Sequence, residues 1–107
     1  GLARDEDAEA LTKTGEIFGT PEYMAPEQLA GDARRVDGRA DVYSLGATLY
    51  ECLTLRRPFS APTREALYRA VLEQPPPDPR RFNPSLPTDL LVILETALEK
   101  EPARRYA

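Results

Sequence analysis

Histidine is absent from this sequence and cysteine occurs once. Without an imidazole there is no His-based zinc site and no triad that relays a proton through histidine; a lone Cys52 has no partner for an internal disulfide. No metal site is expected, and the sparing use of cysteine suits the cytoplasm. Long apolar runs are missing too. Nothing approaches the roughly 18 residues of a membrane span, and Gly1-Leu2-Ala3-Arg4-Asp5 lacks the apolar core of a signal peptide. Asp5 stands where a myristoylation signal favours Ser or Thr. The chain is therefore expected to be soluble and untargeted, and it reads as cut from a longer one. Excess positive charge is also lacking: 14 basic residues stand against 18 acidic ones, for a net charge of −4. That balance excludes the electrostatic footprint of a nucleic-acid or anionic-membrane binder.

The 107 residues suffice for one small domain or a piece of a larger one, and a hydrophobic content of 41% permits a folded core. Eleven prolines sit mainly between apolar periodic segments, which predicts short helices joined by stiff loops. From Gly1 to Glu16 the sequence is polar, with Asp5, Glu6, Asp7 and Glu9 close together, and predicts a mobile loop. Pro26-Glu27-Gln28-Leu29 followed by Gly31 predicts a short helix with proline in its first turn and a glycine stop. A longer helix is expected from Asp41 to about Leu53, capped by Asp41. Only Ser44, Thr48 and Glu51 interrupt its apolar surface as a narrow polar stripe, so it belongs in a core. Cys52 lies on it and is expected to be a buried, inert thiol. A third helix runs from Thr63, its cap, to Leu72, half exposed, and a fourth from Thr88 until Pro102 stops it. Between them, Gln74 to Pro87 reads as a loop. Its proline-rich start to Pro79 suits either a rigid connector or a recognition peptide for SH3-type partners.

One stretch carries a resemblance. Gly19-Thr20-Pro21-Glu22-Tyr23-Met24-Ala25-Pro26-Glu27 resembles the end of the activation segment of eukaryotic-type serine/threonine protein kinases, in the style of bacterial members. Gly1-Leu2-Ala3-Arg4 is similar to the residues just after Asp-Phe in the family's metal-binding motif. Asp41-Val42-Tyr43-Ser44-Leu45-Gly46 resembles the start of the long central helix of the large lobe, with Tyr43 where many members have Trp. Glu101-Pro102-Ala103-Arg104-Arg105 resembles the late acid-Pro-x-x-Arg motif. The resemblance covers essentially the whole chain. It implies a mainly α fold, the helical C-terminal lobe of a kinase without its N-terminal lobe, with residues 1–27 as activation segment and 28–107 as helical scaffold.

Phosphoryl transfer in such enzymes needs a glycine-rich cover over the phosphates, a lysine paired with a helix glutamate, a catalytic aspartate, an asparagine and a magnesium-binding aspartate. None of these is in the sequence. By resemblance, ATP and Mg²⁺ belong to the full-length kinase, and this piece is expected to be inactive alone and to need the missing N-terminal part of the domain.

Roles carry over residue by residue. Thr12 and Thr14 resemble the pair that is autophosphorylated in similar bacterial kinases; otherwise they are two solvated loop threonines. Thr20 stands where the family's threonine bonds the catalytic aspartate and a nearby lysine, a supporting role. Phe18, Gly19, Thr20, Pro21, Glu22, Tyr23 and Met24 would line the surface that accepts the protein substrate, with Gly19-Thr20 favouring a Ser/Thr acceptor. Glu27 and Arg105 would form a buried ion pair, with Arg104 out of register; otherwise Glu27 is a helix-dipole acid and Arg105 a solvated residue. Asp41 would cap its helix and hold the catalytic loop. The alternative is a free-standing kinase-like binding module without catalysis.

Overall fold

The computed structural model of the chain describes residues 20–32, 34 and 36–107. Thr12, Thr14, Phe18, Gly19 and the Gly1–Arg4 stretch lie outside the described residues. Among the described residues four helices follow one another: α1 over Pro26–Leu29, α2 over Gly38–Thr54, α3 over Arg64–Glu73 and α4 over Thr88–Ala97. Three single 3-10 turns, Pro21–Tyr23, Pro79–Arg81 and Pro102–Arg104, each begin with proline, whose preset φ suits a helical start. Among the described residues there is no strand, and the architecture is the helical one expected of a kinase C-terminal lobe.

The central helix departs from expectation at its start. It begins at Gly38, and the carboxylate of Asp37 caps it by accepting from Arg39 N at 2.8 Å. Asp41 lies inside the first turn and is exposed, so the capping role assigned to it is corrected. The helix also turns a different face inward. Ala40, Tyr43, Gly46, Ala47, Tyr50 and Thr54 are buried, a stripe of small and aromatic residues, whereas Leu45 is 69% exposed. Cys52 is exposed as well, which overturns its expected burial. Seven residues beyond Leu45, it points the same way, nearly opposite to Tyr43 and Tyr50.

Small residues let α4 come close. An added Cβ on Gly46 would sit 2.7 Å from the Cβ of Ala97, which is fixed directly to the α4 backbone. Around this contact Ala25, Ala40, Tyr43, Ala47, Tyr50, Leu86, Leu94 and Leu98 form one apolar cluster. A second, of Phe59, Leu67 and Val71, lies under α1 and α3. Helix α3 keeps the expected half-exposed character, with Thr63 capping it by accepting from Ala66 N at 3.1 Å. Helix α4 stops at Ala97, before Pro102, which opens a 3-10 turn of its own instead.

The proline-rich connection is pinned to the end of α2. The Tyr50 hydroxyl donates to Pro77 O at 2.8 Å, and the Asn83 amide to Leu53 O at 2.9 Å. Asp78 caps the following turn through Arg80 N, and Arg80 in turn donates to Leu86 O and the Thr88 hydroxyl, both at 3.0 Å. The segment thus serves as a rigid connector. Helix α2 itself ends on Leu55, at φ 62, a left-handed residue that is 87% exposed.

These two positions predict opposite stability changes. Leu55→Gly removes the left-handed penalty of a β-carbon and is expected to stabilise the fold by about 1 kcal/mol. Gly46→Ala forces α2 and α4 apart and is expected to cost about 1–3 kcal/mol. Urea unfolding followed by circular dichroism measures both.

Candidate functional site

The segment from Thr20 to Glu27 lies across α2, in contact with it from Ser44 to Glu51. Thr20, exposed, precedes the 3-10 turn and accepts from Tyr23 N through its carbonyl at 3.0 Å. Pro21 and Glu22 are half buried, while Met24 and Ala25 are buried. Gln28 reaches back to accept from Ala25 N at 2.9 Å, satisfying one of the donors left open at the start of α1.

The polar stripe of α2 is the seat of this segment. Ser44 donates to the carbonyl of Tyr23 at 2.7 Å, and the Tyr23 hydroxyl donates to the Glu51 carboxylate, two turns further along the same helix face. Arg57, in the loop after α2, closes the group. Its Nη1 lies 3.2 Å from Glu22 Oε2, its Nε 3.9 Å from Glu51 Oε2, and its guanidinium carbon 5.7 Å from the centre of the Tyr23 ring. The bond to the Glu51 carboxylate holds the Tyr23 phenol above its ordinary pKa, since the proton is shared with an acceptor that favours the neutral form. Sequence reasoning placed Glu22 and Tyr23 on the docking surface and missed Glu51 and Arg57. The one signal for Glu51 was its place on the polar stripe; nothing local marked Arg57.

Glu27 and Arg105, 78 positions apart, meet in a bidentate pair, Nη1 to Oε2 at 2.6 Å and Nη2 to Oε1 at 2.8 Å, with both side chains essentially fully buried. The remaining guanidinium donors are also used. Nε donates to Glu99 O at 2.6 Å, Nη1 also to Arg39 O and Nη2 also to Lys100 O, each at 3.1 Å. Every N–H of the guanidinium therefore has an acceptor, the condition under which a buried charge is tolerated. Arg104 is exposed.

The rest of the neighbourhood is set by this pair. The Tyr43 ring packs 5.0 Å from the guanidinium carbon, and its hydroxyl is buried with no hydrogen-bond partner among the described residues. Burial pushes the phenol of Tyr43 well above its ordinary value, partly opposed by Arg105. Lys100 donates to Val71 O at 2.6 Å and lies 4.7 Å over the Phe59 ring, tying the chain beside Arg105 to the end of α3. Burial, with the positive charge of Arg105 adding to it, pushes its amine down to about 8.

Among the described residues no group of three or more His, Cys, Asp or Glu side chains is placed to hold a metal ion, and no helix is long and apolar enough to cross a membrane. What the arrangement offers is a polar, partly exposed platform held by a buried anchor.

Breaking the anchor is expected to be severe. Arg105→Ala strands the Glu27 carboxylate and should cost about 3–5 kcal/mol, with Arg105→Lys recovering little because an ammonium cannot reproduce the fork. Tyr43→Phe keeps the ring and removes an unpaired hydroxyl, so stability should hold or rise by about 1 kcal/mol. Urea midpoints of the three variants test this.

The family model for the protein kinase domain matches residues 1–107. The chain is 45% identical over 108 residues to the serine/threonine-protein kinase Pkn1 of Myxococcus xanthus, covering 100% of this chain and 15% of the relative. It is 42% identical over 106 residues to the tyrosine-protein kinase MasK of Myxococcus xanthus, covering 99% and 16%. To the serine/threonine-protein kinase PknD of Mycobacterium tuberculosis it is 40% identical over 107 residues, covering 99% and 16%. The chain thus spans about a sixth of the length of these relatives.

Proposed function

Because this chain belongs to the protein kinase domain family, we propose that it is the substrate-docking and scaffolding part of a serine/threonine kinase that transfers the γ-phosphate of ATP to protein substrates. Residues 1–27 act as the activation segment and 28–107 as the helical scaffold. The observation that carries the reading is the Glu27–Arg105 pair. It ties the end of the segment to the last turn of the chain and so holds Pro21–Met24 in one place above α2. A docking surface needs that rigidity, since misplacing a bound substrate by about 1 Å can cost about 100-fold in rate.

The residues present do not fit ATP or magnesium. The sequence has no glycine-rich phosphate loop and no lysine in that setting, and the described residues offer no cluster of metal-ligating side chains. Nucleotide and metal are assigned to the remainder of the kinase domain, without which these residues are inactive. Thr20 supports the catalytic groups from the docking side. The relatives named for serine/threonine and for tyrosine phosphorylation differ in acceptor; Gly19-Thr20 favours Ser/Thr here. Thr12 and Thr14 regulate the enzyme when phosphorylated, each phosphate adding roughly −1.5 to −2 charges to the segment.

The test uses the full-length protein with labelled ATP, magnesium and a protein substrate. Thr20→Ala is expected to lower phosphate transfer by about 100-fold while nucleotide binding persists. Replacing Thr12 and Thr14 together with Ala should lower activity and leave the unfolding midpoint unchanged. Substrate binding with no phosphate transfer by the wild-type protein would instead support a kinase-like binding module.

A further inference from the structure

The docking surface contains a charge arrangement that the proposed function does not require. Glu22, from the 3-10 turn, and Glu51, from α2, both direct a carboxylate oxygen at Arg57. Tyr23 donates to the other oxygen of Glu51, and its ring lies beside the guanidinium. None of the three charged side chains is sealed: Arg57 is 44% exposed, Glu51 38% and Glu22 21%. A docked peptide can therefore reach them. Two carboxylates converging on one point, with an aromatic face alongside, make a receptor for a cation, and a guanidinium matches it best. In this protein that point is already taken by Arg57.

We propose that Arg57 is a specificity-determining residue, an internal guanidinium that fills the Glu22–Glu51 receptor and so turns away protein substrates carrying Arg or Lys beside the phosphorylated residue. The inference rests on the reading of Pro21–Met24 as the substrate-docking surface. A basic substrate residue gains the receptor only by displacing Arg57, which is held beside it at the high effective concentration of a tethered group. A neutral residue docks without that competition. The pair with its guanidinium carries one net negative charge; without Arg57 it would carry two. Exposure keeps the effect modest and sensitive to salt.

The experiment compares full-length wild type with Arg57→Ala and Arg57→Lys on a peptide series in which one Arg or one Ala is scanned through the positions flanking the acceptor serine. Wild type is expected to show no preference for Arg at any position. In Arg57→Ala, the Arg-to-Ala ratio of kcat/KM should rise about threefold to fivefold at one position, as suits an exposed ion pair, and the gain should shrink with added salt. Arg57→Lys, which keeps the charge, should restore the wild-type ratio. An unchanged ratio in Arg57→Ala, a uniform fall on every peptide, or a lysine variant that behaves like the alanine variant would each overturn the proposal while leaving the kinase reading intact. Absence of phosphate transfer by wild type would overturn the kinase reading and the proposal together.

Discussion

All five N–H donors of Arg105 point at acceptors inside the fold, two on Glu27 and three on the carbonyls of Arg39, Glu99 and Lys100. A guanidinium so enclosed is worth little as a net attraction, because leaving water costs nearly what the pair returns. Its effect is geometric. The fork accepts only one arrangement of the carboxylate and the three carbonyls, so the start of α1, the start of α2 and the turn after α4 are fixed together. Removing either partner leaves the other charged and dry, which is why this contact governs the region.

The stripe of small residues on α2 plays a complementary part. Gly46 lets α4 approach until the Ala97 β-carbon leaves no room for one on the glycine, and Tyr43, Ala47 and Tyr50 from the same stripe belong to the apolar cluster around it. Tyr43 lies under the Arg105 guanidinium, and Tyr50 bonds the proline-rich connector, so one helix face serves both core and anchors. The other polar face, Ser44 and Glu51, is left free to hold the segment around Tyr23.

Buried and exposed charges thus divide the work. The Glu27–Arg105 pair is dry and so much less screened by salt, and it holds position. The Glu22–Arg57–Glu51 group is wet and adjustable, and it lies on the surface proposed for substrate docking. The two groups are linked through the short stretch from Glu22 to Glu27, so the buried pair steadies the backbone that carries the exposed one.

Much of this was legible in the residues. Prolines and a threonine cap set α1, α3 and α4 because such signals act within a turn of where they stand. Helix α2 starts a turn earlier than the expected Asp41 because the Asp37 carboxylate takes the cap position and the turn between them, with Ala40 buried, packs into the core. Cys52 faces solvent against expectation, because an almost uniformly apolar helix does not announce which side will be exposed. The choice fell to the small residues that admit α4, not to the most apolar ones. The helices, the stiff proline connections and the family motifs follow from the residues alone, since these depend on neighbours a few positions away. Which face of α2 is core, the meeting of Glu27 with Arg105 and that of Glu22 with Arg57 and of Tyr23 with Glu51 came from packing, because it brings together residues 28 to 78 positions apart that no local preference relates.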